Sequence, residues 1–450
     1  MVMQGKFLNL LHTFLSIMRK FWLDCFIATV FVFLAMWGIV RITQLTIFDA
    51  FDSIGKAIGD VELTDYVFWG LRVDPPVDTS IVVVNIGNLS RREIAQQIQI
   101  ISKYKPKIIG IDAFFDCSGF HRDTVSCPPL RDELGNLMLG AAITQAGNVI
   151  LVSQLERADT LLPADKFDSL RRSDPIFSEN ASREGFANLD TDAAYQDDVK
   201  TCRQFTPKAD VAGKPQYAFA VEMALAYDSA KARKFLRRNN ETEIVNYRGN
   251  VVDVFGQTKY PQMFFTLDAN QVLNEDFVET LLKDKIVIMG FLGDQLGDPS
   301  WADKFYTPLN GKMAGKANPD MFGVVVHANI VSMILKEDYV NKMAAWQEVL
   351  MAFMFCILNV ALFSLINTHL PSWYDGITKL LQLLQLLLYS VLMVKVFEWY
   401  SFKLNVTLTL AAVALVGDVY EVYMSVIKNL IIKIGSLLPF TRRKEGVLIP

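Results

Sequence analysis

Five polar residues fall where a small molecule would be held if the central strands of this chain are parallel: Asn85, Asp112, Asp294, Asp298 and His327. Asn85 lies in the β-branched run Ile81-Val-Val-Val-Asn-Ile-Gly, and Asp112 in Lys107-Ile-Ile-Gly-Ile-Asp-Ala-Phe-Phe. Asp294 and Asp298 come just after the run that closes at Phe291. In open parallel sheets the ligand crevice lies beyond the carboxyl ends of the strands, so these side chains would line an oxygen- and nitrogen-rich pocket. The plainer reading is that Asp112 caps a loop by accepting backbone N–H bonds and that His327 is a satisfied helix residue. No partner stands at metal-ligand spacing, so no metal is assigned.

Catalytic signatures are missing. The chain has no G-x-S-x-G, no Walker loop, no H-E-x-x-H and no G-x-G-x-x-G after a strand. Its four histidines are His12, His121, His327 and His369. Asp190, Asp192, Asp197 and Asp198 crowd one segment, which reads as a solvated loop or at most a hard-cation site needing about six or more oxygens. The expectation is a non-enzyme without a cofactor. Cys25 and Cys356 lie in apolar runs, which leaves Cys117, Cys127 and Cys202 outside them. In an oxidising compartment Cys117 and Cys127 would close a short polar loop, although the odd Cys202 leaves the pairing open.

These residues are carried by a chain of 450 residues, 52% of them hydrophobic and 20% charged, with a mean hydropathy of +0.25. The apolar excess is concentrated in four runs near 21–40, 345–366, 377–397 and 404–427, each long enough to cross about 30 Å of hydrocarbon as a helix. A net charge of −4 argues against nucleic-acid binding. The first run has no small-residue cleavage site after it and reads as an uncleaved signal anchor. Lys6, Arg19 and Lys20 precede the first run, and Lys428, Lys433, Arg442, Arg443 and Lys444 follow the last. Both termini are therefore expected in the cytoplasm and the large intervening domain outside, against the weaker counter-signal of Lys395 and Lys403. Asp418 and Glu421, three residues apart in the last run, suggest a functional pair, the rival account being that the helix emerges early and both acids reach the interface.

The expected layout is a cytoplasmic N-terminus at 1–20, a membrane helix at 21–40, an outer domain at 41–343, three membrane helices at 344–427 and a basic tail at 428–450. Within the outer domain Phe48, Phe51, Ile54, Ile58 and Val61 have helical spacing, and Pro75-Pro76 precedes the first strand. Ser90 with Glu93 makes a capping box for a helix that Pro106 stops before the second strand. A helix at 130–146 leads to a strand from Asn148, and another at 275–283 leads to the strand Lys285–Phe291. Tyr217–Tyr227 and 323–336 read as helices and Glu243–Gly249 as a further strand. The fold class is α/β: a mainly parallel sheet flanked by helices, plus four transmembrane helices, one N-terminal and three C-terminal.

The order of these pieces resembles the CHASE sensor domain of the second type. The stretches that carry the resemblance are Val82–Ile86, Ile109-Gly-Ile-Asp-Ala-Phe-Phe, Gly185-Phe-Ala-Asn-Leu-Asp-Thr-Asp, Lys285-Ile-Val-Ile-Met-Gly, Asp298, Thr307-Pro308 and Gly323-Val-Val-Val-His-Ala-Asn. The family usually has an acid where this chain has Asn85, and an arginine after its aspartate-rich turn, where Lys200 and Arg203 are nearest. Members commonly continue into a cyclase, kinase or phosphatase, and the tail here is too short for one. The resemblance therefore implies a sensor in the bacterial inner membrane, with its domain in the periplasm and a separate effector protein as partner. A structural subunit of an envelope complex is the alternative. The ligand is not named by the sequence, and a homo-oligomer is compatible with it. Neither Pro nor Gly occurs between Val324 and Leu370, so a short, stiff connection is expected to pass a signal from the crevice to the last three helices and on through Asp418 and Glu421.

Overall fold

The runs Ile81–Val84, Val149–Val152 and Ile286–Met289 contain no polar residue, and every side chain in them is buried. Strands of this kind need cover on both faces, which dictates a sheet between two helical layers. The computed structural model describes residues 2–43, 62, 64–117, 131–158, 166–191, 201–312, 318–430 and 433. The helical spacing at Phe48–Val61 lies outside the described residues. The chain divides into two compact units, Lys56–Asn341 and Met1–Gly55 with Lys342–Pro450.

In the first unit the sheet has seven strands: β1 (Asp78–Asn85), β2 (Ile108–Asp112), β3 (Val149–Glu156), β4 (Ser169–Arg172), β5 (Arg183–Phe186), β6 (Phe264–Leu267) and β7 (Ile286–Gly290). Strands β6, β1, β7, β2 and β3 lie side by side in that order, all parallel. Strand β3 also pairs with β5 in parallel and with β4 antiparallel. The expected strand–helix–strand unit is present and its strands are parallel, but they are not neighbours, because β7 lies between β1 and β2.

One face carries α2 (Arg91–Lys103) and α3 (Glu133–Ala146), whose Ile94, Ile98, Leu139 and Ile143 share a core with Val82, Val84, Ile109, Ile111, Val287 and Met289. Helix α2 starts on the capping box expected of it: the Ser90 backbone N–H donates to Glu93 at 2.7 Å, and the Glu93 N–H donates to Ser90 Oγ at 3.4 Å. The other face carries α4 (Phe219–Tyr227) and α5 (Gly323–Lys336). Here the backbones approach at glycines. A Cβ on Gly110 would lie 2.4 Å from Met223 Sδ, and one on Gly185 would lie 2.7 Å from the Phe219 Cα.

Two expected elements are not formed. Of Glu243–Gly249 only Glu243–Ile244 is a strand, and it pairs with Gln204–Phe205 outside the main sheet. The N–H groups of Arg248 and Gly249 both donate to Asn329 Oδ1, at 2.7 and 3.1 Å, so a side chain takes the place of a ladder. The helix expected at 275–283 is reduced to one 3₁₀ turn, Glu279–Leu281. Glu275 there takes φ +54, outside the helical region. Helix α5 stops at Lys336 because Glu337 takes φ +56. The next helix begins at Ala345, so 337–344 is non-helical rather than a continuous rod.

The second unit holds α1 (Val2–Thr43), α6 (Ala345–His369), α7 (Tyr374–Tyr400) and α8 (Thr407–Val422). Four stretches among the described residues are long and apolar enough to cross a membrane: Met18–Ile39, Ala345–His369, Pro371–Tyr400 and Thr407–Leu430. Cys25, Ala28 and Val32 of α1, Cys356 and Val360 of α6, and Ala412, Val416 and Tyr420 of α8 form one buried cluster. Trp22, Trp37, Trp346, Trp373 and Trp399 are exposed, and all lie near the ends of these stretches, where amphipathic rings favour a lipid–water boundary.

Gly185 faces backbone, which cannot swing aside as a side chain can. Gly185→Ala is expected to destabilise the protein by about 1–3 kcal/mol, measured as a lowered Tm of the detergent-solubilised chain.

Candidate functional site

After β1 the chain turns into α2 on one face of the sheet; after β7 it passes through 291–322 into α5 on the other. A crevice opens where neighbouring parallel strands send the chain to opposite faces. The register places Asn85 of β1 beside Gly290 of β7, and Gly290 beside Asp112 of β2. Side chains alternate along a strand, so Asp112 shares the face of Gly110, which looks onto Phe219 and Met223 of α4. Gly290 looks onto Val324 in the first turn of α5. The centre of this row has no side chain.

On the β1 side everything is tied to protein. The Asn85 amide donates to Asp268 Oδ1 at 2.9 Å and to the Gly293 carbonyl at 3.1 Å. Its oxygen accepts from the N–H groups of Gly87 and Leu292, each at 2.9 Å. Asp268 in turn accepts from the Ala269 N–H and caps a short helix. Asp294 accepts from the Asn88 amide, and Asp298 from the N–H groups of Asp294 and Ser300 at 2.9 and 2.8 Å. These backbone donors hold the Asp298 carboxyl below its ordinary pKa. Gly293 takes φ +93 with its Cα against Asp298, where a Cβ would lie 2.3 Å from Asp298 Cβ. Asn85, Asp294 and Asp298 are thus brought together as one hydrogen-bonded loop system.

On the β2 side the carboxyls are not tied. Asp112 makes no side-chain hydrogen bond or ion pair among the described residues, and desolvation pushes its pKa up to about 7. Asp303, which no sequence pattern singled out, is its neighbour. Its pKa also rises to about 7, first by desolvation and then by the charge of Asp112. Asp303 is exposed by area and Asp112 only partly covered, yet both are desolvated. The Asp303 carbonyl accepts from the Gly323 N–H at 3.0 Å, and its carboxylate stands beside the Gly323 Cα, at the start of α5. No side chain caps that helix.

His327 lies one turn further along α5, buried, with its ring edge-on to Phe219 at 5.4 Å. It bonds to the Ala187 backbone, and burial pushes its pKa down to about 4, so the ring is neutral near pH 7. Nδ1 has no partner. On the α2–α3 side a separate cleft of about 400 Å³ opens between Arg91, Asn136, Leu137, Asp174 and Phe177, and none of the expected site residues lines it. No group of three or more His, Cys, Asp or Glu with metal-site geometry occurs among the described residues. Cys117 is disulfide-bonded and Cys202 is free. Cys127, the expected partner of Cys117, lies outside the described residues, as do Asp192, Asp197, Asp198 and Lys200. Arg203 pairs with Asp65 at 2.6 Å.

In the membrane unit Asp418 forms an ion pair with Lys379 of α7, and Glu421 is exposed. A second pair went unread in the sequence. Asp24 of α1 binds Lys428 Nζ at 2.6 Å and accepts from Tyr423 Oη at 2.8 Å. Asp24 stands inside an apolar run, which is itself the signal that would have found it. Both pairs join the last helix to a neighbour.

A parallel α/β domain set between one apolar helix and three more defines the class: a multi-pass protein with a large inserted domain. The family model for the CHASE2 domain matches residues 27–365, and the chain belongs to that family. CHASE2 is a sensory extracellular domain, which makes the resemblance carried by the strand and glycine motifs a shown relationship. No curated protein and no solved structure matches the chain.

Two outcomes follow from the site's electrostatics. Asp112 and Asp303 have folded pKa values near 7 against an ordinary 3.8, so the folded state holds their protons more tightly. Stability contributed this way is full below about pH 4 and falls as pH rises toward 7. Asp303→Asn should therefore leave Tm unchanged near pH 4 and raise it at pH 8. Asn85→Asp sets a second carboxylate against Asp268. It should lower Tm at pH 7 and lose much of that penalty near pH 4, as a thermal melt across pH would show.

Proposed function

We propose that the protein is a non-enzymatic receptor subunit of the bacterial cytoplasmic membrane. The domain Lys56–Asn341 faces the periplasm or exterior and detects a small ligand or an envelope partner. The membrane helices pass that event to a separate effector protein. The CHASE2 match carries this reading, because it assigns a sensory role to most of the chain. The unpaired carboxyls beside Gly290 support it as the place where a small ligand would act. Basic residues flanking the first and last spans favour cytoplasmic termini. The pairs Asp418–Lys379 and Asp24–Lys428 hold the last helix to α7 and α1, so a displaced helix would have to exchange charged partners. Such discrete contacts suit a two-state relay.

Alkaline phosphatase fused after Lys200 should be active and fused after Glu445 inactive, since the enzyme matures only outside the cytoplasm. The reverse pattern would overturn the outward-facing receptor.

A further inference from the structure

The cleft of about 400 Å³ between α2 and α3 opens at the carboxyl end of the parallel strands. Helix α2 follows β1 directly, so Arg91, its first residue, stands at that end. Helix α3 runs back toward β3, which is parallel to β2, so Asn136 and Leu137 near its start stand there too. The third wall is the short helix Pro175–Ser178, tied to the chain after β2 by the Asp174 N–H, which donates to the Phe115 carbonyl at 3.0 Å. Gly140 of α3 lets this wall close: a Cβ there would lie 3.1 Å from the Ile176 carbonyl oxygen. Ligands of parallel α/β domains enter at this end of the sheet, and the volume is that of a small-molecule site.

Arg91 gives the cleft its chemistry. Its guanidinium lies over the Phe177 ring, 5.1 Å from the centroid, and Nη1 donates to Asn136 Oδ1 at 2.6 Å. That is its only side-chain hydrogen bond among the described residues, and a guanidinium has more donors than one bond uses. Desolvation holds its pKa below the ordinary arginine value, against the opposing charges of Asp174, Asp116 and Asp132. Two of those acids are engaged elsewhere: Asp116 accepts from Arg171 at 2.8 and 3.0 Å, and Asp132 from Arg92 Nε at 2.9 Å. A guanidinium clamped by an amide and a ring, with donors left over, fits a planar acceptor of two oxygens.

The remaining walls define the rest of the ligand. Leu137 and Ile176 are 61% and 38% exposed and offer apolar surface beside the guanidinium. Asp174, which is buried, and Glu133, which is exposed, also line the cleft and oppose a second negative charge. A single carboxylate on an apolar body meets these conditions, and a phosphate or a dicarboxylate does not.

We propose that this cleft is a binding site for a small monocarboxylate with an apolar body, its carboxylate on Arg91 and its body against Leu137 and Ile176. The site is separate from the row Asn85–Gly290–Asp112 and does not depend on the receptor reading.

The test is isothermal calorimetry near neutral pH on the full-length, detergent-solubilised protein. The probes are hexanoate, benzoate and phenylacetate, with hexanamide, succinate and inorganic phosphate as controls. At least one monocarboxylate should bind about tenfold or more tighter than every control, the usual worth of a charged hydrogen-bond pair. Arg91→Gln should weaken that binding by the same factor. Leu137→Glu sets a like charge at the exposed rim and should also weaken it about tenfold, with Tm unchanged because the position is on the surface. If Arg91→Gln fails to fold, Leu137→Glu decides. Binding of none of the three monocarboxylates, equal binding of a control, or binding unaffected by Leu137→Glu would overturn the assignment.

Discussion

The placement of β7 between β1 and β2 is the constraint on which the soluble unit depends. Ile286–Met289 is wholly apolar and can be covered only by two neighbouring strands and two helical layers. Insertion there gives β7 the central position and forces its onward connection to the face opposite α2. The meeting of Asn85, Gly290 and Asp112 in one row at the strand ends is a consequence of that choice. So is the approach of α5, because only a glycine at the strand end lets Val324 lie against the sheet.

The two sides of this row of strand ends resolve their polar groups in opposite ways. Around Asn85 every hydrogen-bonding valence is spent on protein, which locks the loops after β1 and β7 together. The amide suits this place because it offers donors to the Asp268 carboxylate and acceptors to two N–H groups, a pairing that a second carboxylate cannot make. Around Asp112 and Asp303 the valences stay open and the charges oppose each other. Rigidity on one side and unpaired chemistry on the other is the division expected of a binding site held by a scaffold.

The membrane unit uses polar contacts of a different kind. Gln382 of α7 donates to the carbonyls of Val413 and Ala414 of α8 at 2.8 and 3.0 Å, and its amide lies against Gly417, where a small residue lets the helices close. With lipid on the outside, burial of apolar surface does little to order the helices. Side-chain hydrogen bonds and ion pairs to α8 therefore carry more of the register than they would in a soluble bundle.

Much was legible in the chain itself because it depends on local pattern. The β-branched runs, the Ser90–Glu93 capping box, the extent of α5 and the four membrane-length stretches all follow from the chemistry of near neighbours. Parallel pairing also followed, and with it the position of Asn85 and Asp112 at strand ends. The order of the strands did not, because the free energy of inserting β7 between β1 and β2 comes from contacts between segments far apart in sequence. Asp303 was invisible for the same reason: it lies in an aperiodic loop, and only the docking of that loop against α5 sets it beside Asp112. The failed strand at Glu243–Gly249 shows the converse, local propensity yielding to a distant amide, Asn329, that satisfies the backbone better than a neighbouring strand. Sequence alone determined the apolar central strands, the helices that start on clear caps and the four membrane-length stretches, since those answers are written in periodicity and composition. Tertiary structure alone decided which carboxyls are paired and which are left open, since that depends on which distant donors the packed chain brings within reach.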